Sequence, residues 1–199
     1  GVNRRGHQLL KNRFTGEYSV VDSTKEGDLS TGDSQQVLDI SSNGRYALFT
    51  LDEYGSVDLD GLPGMGGSDT RTGEPREYGS VLYRKDLIKG DVIPVNTTSE
   101  GTKVAAGAGR GAMTPDGRYV AFVSDVQLAG LEKPPWGSDE YNRNVVYRKD
   151  LETGDLIIVS KDKDGNLNTD NIGGEQLGIS DDGSRISFFY QGDDLLEAP

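Results

Sequence analysis

A Ser-His-Asp triad needs a nucleophile, a base and an acid, and the chain carries a single histidine, His7, close to its first residue. No Gly-x-Ser-x-Gly elbow is present to present a serine nucleophile. His7 therefore reads as a strand or rim residue, and a peptidase activity would have to lie in residues outside this chain. The absence of cysteine excludes disulfides, zinc ribbons and thiol catalysis. Gly107-Ala108-Gly109-Arg110-Gly111 has the small residues of a phosphate-cradling loop. It lacks the Lys-Ser/Thr of a P-loop, and a strand rather than a helix is expected after it. Its glycines read instead as an inner strand where backbones crowd. Asp162-Lys163-Asp164-Gly165-Asn166-Leu167-Asn168-Thr169-Asp170 alternates oxygen donors as calcium loops do, but the glycine is misplaced and the twelfth position is Gly173 rather than Glu. A solvated turn is the first reading and calcium the alternative. Asp52 to Asp60 is a weaker version of the same pattern. Accordingly, no residue is assigned a catalytic, cofactor-binding or metal-binding role, and no cofactor is expected.

Two further candidates repeat or stand out. Tyr83-Arg84-Lys85-Asp86 returns as Tyr147-Arg148-Lys149-Asp150 and could be a ligand-binding repeat. Strand alternation puts Tyr and Lys on one face and Arg and Asp on the other, and cross-strand pairing within one sheet explains them. Pro134-Pro135-Trp136 is either an exposed recognition tip or an anchor folded over the sheet. Asn96-Thr97-Thr98 matches a glycosylation sequon, which has meaning only where that pathway exists.

The elements that position these residues repeat. Gln8–Lys11 and Tyr18–Val21 form a strand pair around Thr15-Gly16-Glu17. The layout returns at Val81–Leu87 with Val92–Val95, and at Val145–Leu151 with Leu156–Val159. In each unit two glycines stand eleven residues apart: Gly16 and Gly27, Gly90 and Gly101, Gly154 and Gly165. Glycine there supplies the positive φ of hairpin turns. Between the hairpins lies a second repeat: Ser41-Ser42-Asn43-Gly44-Arg45-Tyr46, Thr114-Pro115-Asp116-Gly117-Arg118-Tyr119, and Ser180-Asp181-Asp182-Gly183-Ser184-Arg185. Pro115 and Asp116 suit the centre of a type I turn with Gly117 left-handed after it. Each turn joins a short strand (Val37–Ile40, Gly111–Met113, Gln176–Ile179) to one rich in aromatic and β-branched residues. Long loops over 52–79 and 126–143 complete the unit. No helical periodicity of consequence appears.

Lys plus Arg number 21 and Asp plus Glu 33, a net charge of −12. Such a surface repels phosphate backbones, so no nucleic-acid partner is expected, and it favours solubility or a basic partner. No apolar run reaches membrane-spanning length. No signal-type segment follows Gly1-Val2-Asn3-Arg4-Arg5, so any export signal is expected outside these residues. The lack of cysteine fits a periplasmic or extracellular protein.

Four-stranded units of this period read as propeller blades. Thr114–Phe122 resembles the WD40-like "PD40" repeat of TolB-type β-propellers. The hairpin at 146–155, followed by Val159-Ser160 and Asp164-Gly165-Asn166, also resembles that family's blades. The resemblance is fuller over 114–190 than over 37–101. It is least over 1–27, where Leu9-Leu10-Lys11-Asn12 replaces Tyr-Arg-Lys-Asp. It implies an all-β propeller of four-stranded antiparallel blades over 1–199, with blade portions at 1–27, 37–101, 111–165 and 176–199. The chain opens on half a blade and closes on half a blade, which makes twelve strands or about three blades, fewer than the four to eight of typical propellers. Three explanations are open: a sector of a larger ring, two copies completing a six-bladed ring as a homodimer, or further strands in the long loops. The function expected is a non-enzymatic scaffold for a protein or peptide partner, bound through rim loops or the central channel. The alternatives are the propeller part of a larger hydrolase and a calcium- or carbohydrate-binding extracellular propeller.

Overall fold

The computed structural model describes residues 6–30, 33–52, 65–66, 80–101, 103–105, 109–124, 128, 144–162, 164–165, 172–191 and 195. Among them the regular elements are strands: β1 (Leu9–Lys11), β2 (Tyr18–Val20), β3 (Asp33–Ile40), β4 (Tyr46–Asp52), β5 (Met65–Gly66), β6 (Ser80–Asp86), β7 (Val92–Pro94), β8 (Val104–Ala105), β9 (Gly111–Met113), β10 (Tyr119–Ser124), β11 (Val145–Asp150), β12 (Leu156–Ile158), β13 (Ile172–Ile179) and β14 (Ile186–Tyr190). No helix among the described residues is long and apolar enough to cross a membrane.

Two antiparallel four-stranded sheets, β3-β4-β6-β7 and β9-β10-β11-β12, form the middle of the chain. Two-stranded sheets flank them in sequence, β1-β2 before and β13-β14 after. The chain is thus all-β, with four-stranded antiparallel sheets as propeller blades have. The long loop at 52–79 does hold an extra strand, as one of the three explanations required. However, β5 pairs in parallel with β8 and stands outside the four-stranded sheets. Two inner strands start earlier than the apolar pattern indicates. β3 begins at Asp33 rather than Val37 and β13 at Ile172 rather than Gln176, both through bulges that break the period-two pattern.

Every glycine singled out for turn geometry has a positive φ, from 69° at Gly117 to 93° at Gly27. The turn opening the second complete sheet closes by the Gly117 amide donating to the Thr114 carbonyl at 2.8 Å. The Asp116 carboxylate accepts from Thr114 Oγ1 (2.6 Å) and from the Arg118 amide (3.0 Å). The threonine hydroxyl, then that amide, hold the carboxyl below its usual range.

The core lies between sheets. Val21, with Leu10 against it, meets Phe49, Leu51, Val81 and Tyr83 of the first complete sheet. Leu48, Leu82 and Val95 from that sheet meet Val120, Phe122 and Tyr147 of the second. Val123 and Val146 then meet Ile172, with Ile186 and Phe188 packed on. Central strands are therefore covered on both faces, which explains why β4 and β10 are nearly continuous apolar runs. Phe49 stacks on its cross-strand partner Tyr83, and Phe122 on Tyr147, both with ring centroids 5.7 Å apart. Each ring buries roughly 150–250 Å².

Candidate functional site

The Arg and Lys of the Tyr-Arg-Lys-Asp repeat reach across the junctions between successive sheets, and its Asp stays within one sheet. Asp86 caps the hairpin turn by accepting from the amides of Ile88 and Lys89, both at 3.0 Å. Its other oxygen takes Arg45 Nη2 at 2.8 Å. Asp150 repeats this with the amides of Glu152 and Thr153 and with Arg118 Nη2 at 2.8 Å. The Arg118 guanidinium pulls the Asp150 carboxyl down to about 2. Arg84 then reaches out of its own sheet: Nη1 donates to the Gly117 carbonyl of the next one at 2.7 Å. Arg148 does the same to Gly183 at 3.0 Å.

A tyrosine fills the space between these arginines. Tyr46 has the guanidinium carbon of Arg84 4.6 Å from its ring centroid and that of Arg45 at 5.0 Å. Tyr119 lies likewise between Arg148 (4.8 Å) and Arg118 (4.9 Å). The next sheet's turn glycine rests on each ring. A Cβ at Gly117 would stand 2.5 Å from Tyr46 Cδ2, and one at Gly183 2.6 Å from Tyr119 Cδ2. Glycine is required at both positions, by the close approach and by φ near +70°.

The lysines point the opposite way. Buried Lys85 donates to the carbonyls of Val20 (3.1 Å) and Ser23 (2.8 Å) and to Ser23 Oγ, all on the preceding hairpin. Lys149 donates to the carbonyls of Thr97 and Thr98. Burial pushes both ammonium groups below lysine's usual value, partly opposed by Asp22 at Lys85 and by Asp155 and Glu100 at Lys149. A depressed lysine in a cleft would point to catalysis, but here the ammonium groups are held by backbone carbonyls at a packed junction. Only the aspartates pair with arginines inside their own sheet. The expected cross-strand role of the repeat is corrected for Arg84, Arg148 and both lysines, whose partners belong to adjacent sheets.

A third repeated position was invisible as a motif because its residue type changes. Asp22, Asn96 and Ser160 are each fully buried. They accept the amides of Gln8 (2.8 Å), Leu82 (2.8 Å) and Val146 (3.2 Å) respectively. The available signal was positional: each follows a valine and precedes the second hairpin glycine by five residues. This fixes two other candidates. His7 Nδ1 lies 2.8 Å from the second Asp22 oxygen. Because Asn96 and Ser160 clamp the strand without any histidine, the His7–Asp22 pair is an elaborated strand clamp. The Asn96 side chain also donates to the Ser80 carbonyl, so the Asn96-Thr97-Thr98 sequon is turned into the fold.

A Cβ at Gly111 would come within 2.8 Å of Leu48 Cδ2, so the crowding there is by a side chain of the preceding sheet rather than by backbone. Gly109 faces open space, and residues 106–108 lie outside the described residues. In the acidic loop, the Asp164 amide donates to Asp162 Oδ1 at 2.9 Å and the Gly165 amide to the Asp162 carbonyl, which is turn geometry. Residues 166–170 of that loop, 53–60 of the weaker acidic loop, and Pro134-Pro135-Trp136 lie outside the described residues. No cluster of three or more metal-ligating side chains occurs among the described residues.

The exposed apolar groups stand elsewhere. Phe14 and Ile88 occupy the same place at the tips of the β1-β2 and β6-β7 hairpins and are 88% and 78% exposed. Glu152 holds that place in the third hairpin. The Lys25–Asp91 ion pair ties the first two hairpins together.

No family model matches the chain, and no curated protein does. Among solved structures it is similar to the tricorn protease, at 12% identity and a TM-score of 0.37 over 94% of this chain and 22% of that one. It is also similar to TolB from Acinetobacter baumannii, at 19% identity and a TM-score of 0.32 over 92% of this chain and 42% of that one. The chain therefore spans less than half the length of either.

Proposed function

We propose that this chain is a non-enzymatic β-propeller scaffold that binds a protein or peptide through its hairpin rim, in a periplasmic or extracellular setting. The observation that carries the reading is the contrast between the charged repeat and the tips. The repeat's ionisable groups are engaged within and between sheets, whereas Phe14 and Ile88 project from equivalent tips of adjacent hairpins. Large exposed apolar groups suit a partner carrying apolar anchors.

The test is selection of a phage-displayed random peptide library on the immobilised chain, followed by titration of the winning peptides. Enriched peptides should carry an aromatic or aliphatic anchor. The Phe14→Ser/Ile88→Ser variant should lose at least about tenfold in affinity, a modest share of a hot spot. Peptides that bind wild type and variant equally would overturn the rim assignment.

A further inference from the structure

We propose that Asn43 is a modification site, at which water replaces the side-chain amide by a carboxylate while the turn around it keeps its shape. The site lies in the turn between β3 and β4, away from the hairpin tips, and does not depend on the rim reading.

Asn43-Gly44 is the only Asn-Gly step in the chain. An asparagine side chain is open to attack by the next residue's backbone nitrogen, and glycine alone leaves that nitrogen without a Cβ beside it. The Gly44 nitrogen gives its proton to hydroxide and bonds to Asn43 Cγ. The Cγ–Nδ2 bond breaks, and ammonia leaves with a proton from water, which restores the hydroxide. Water then adds to Cγ of the five-membered imide, the bond from Cγ to the Gly44 nitrogen breaks, and that nitrogen recovers a proton. One water is consumed and one ammonia released, with no change of oxidation state. Opening at the other carbonyl of the ring gives isoaspartate, whose main chain is one carbon longer.

The repeat shows that the turn takes the aspartate product. Ser41 Oγ donates to Asn43 Oδ1 at 2.8 Å, and the Arg45 amide donates to the same oxygen at 2.9 Å. The corresponding oxygen of Asp116 takes Thr114 Oγ1 (2.6 Å) and the Arg118 amide (3.0 Å). That of Asp182 takes Ser180 Oγ (2.6 Å) and the Ser184 amide (3.0 Å). All three turns close by the glycine amide donating to the first residue's carbonyl, at 2.7 Å for Gly44 and 2.8 Å for Gly117 and Gly183. The three glycines share a φ of 69° to 71°. Two of the three equivalent positions therefore already hold the residue that deamidation makes at the first. The Asp116 and Asp182 carboxyls lie below their usual range, Asp182 at about 2, chiefly because the hydroxyl at the head of the turn donates to them. Asn43, Asp116 and Asp182 are all exposed, so water reaches each.

The same contacts set the pace. Ring closure requires the Gly44 amide to leave the Ser41 carbonyl and Asn43 Oδ1 to leave the Arg45 amide, so the reaction proceeds through local opening of the turn. Isoaspartate inserts its extra carbon between the two groups that close the turn, and so breaks the geometry that aspartate keeps.

The test incubates the full chain in mildly alkaline buffer, folded and in urea, and maps its peptides by mass spectrometry. Asn43 should convert ahead of every other asparagine in both, and at least about tenfold more slowly in the folded chain. In urea, where no fold is left to lose, Gly44→Ala should slow conversion at least about tenfold, because the added Cβ hinders the nitrogen. Ser41→Ala should speed conversion at least about threefold in the folded chain, by loosening the turn, and leave it unchanged in urea. Asn43→Asp should unfold in urea at no lower a midpoint than wild type at neutral pH. It should fall relative to wild type as pH drops below ~4, where the carboxyl takes up its proton. Another asparagine reacting first in the folded chain, an unchanged rate for Gly44→Ala in urea, or a lower neutral midpoint for Asn43→Asp would each overturn the inference.

Discussion

The junctions beside the two four-stranded sheets and the two-stranded sheets that flank them are built from the same repeat, yet they treat charge differently. At the junctions each charged side chain has a fixed partner: Asp86 with Arg45, Arg84 with the next sheet's Gly117, Lys85 with the preceding hairpin's carbonyls. In the two-stranded sheets the equivalent places hold Ser184, Leu10 and Asn12, and equivalent Lys11 is exposed with its ammonium over the Tyr18 ring. The difference teaches that the Arg and Lys of the repeat are fasteners between sheets, while its Asp ties strands within one sheet. All three are present in the four-stranded sheets, and two of them are neutral residues in the β1-β2 pair.

Four perturbations would break or sharpen this comparison. The largest effect is expected at the glycine contacts. Gly117→Ala puts a methyl into the Tyr46 ring at a left-handed position, and should cost about 3 kcal/mol from overpacking and backbone strain together. Gly44→Ala has the same φ but open space, and should cost about 1 kcal/mol from the backbone alone. Urea unfolding of both variants measures the gap. Next, Lys85→Met leaves two carbonyls and the Ser23 hydroxyl of the preceding hairpin without their donor, and should cost about 2 kcal/mol. Lys11→Met should stay within about 0.5 kcal/mol in the same assay.

The third effect is on pH dependence. Asp150 is held near 2 in the folded chain, mainly by Arg118, against about 3.9 for an unfolded aspartate. Its contribution is fully present above pH ~4 and is lost as pH falls through ~2. Asp150→Asn should therefore lower stability at neutral pH and flatten the stability-against-pH curve across that window. An unchanged slope in acid titrations followed by circular dichroism would contradict the pairing. The smallest effect is expected at the tips: Phe14→Ser and Ile88→Ser should each change stability by less than about 0.5 kcal/mol, because neither side chain is buried.

Much of the fold was legible because turn chemistry is local. The paired spacing of Gly16 with Gly27, Gly90 with Gly101 and Gly154 with Gly165 marked the hairpins, and Gly44, Gly117 and Gly183 the intervening turns. The direction of the charged side chains was not legible. Lys85 and its acceptors at Val20 and Ser23 lie more than 60 residues apart, and backbone carbonyls carry no sequence signature. The β5-β8 pair escaped because two-residue strands of Met-Gly and Val-Ala have no periodicity to read. The strand clamp at Asp22, Asn96 and Ser160 escaped because any side-chain oxygen can accept one amide proton.

The central claim, that the repeat fastens each sheet to its neighbours, is tested most directly by hydrogen exchange of Lys85→Met. The variant should speed exchange of the β1-β2 amides over residues 9–20 at least about tenfold, corresponding to a loss of about 1.4 kcal/mol in local opening. The β9–β12 sheet should keep its protection. Unchanged protection of β1-β2 would contradict the account.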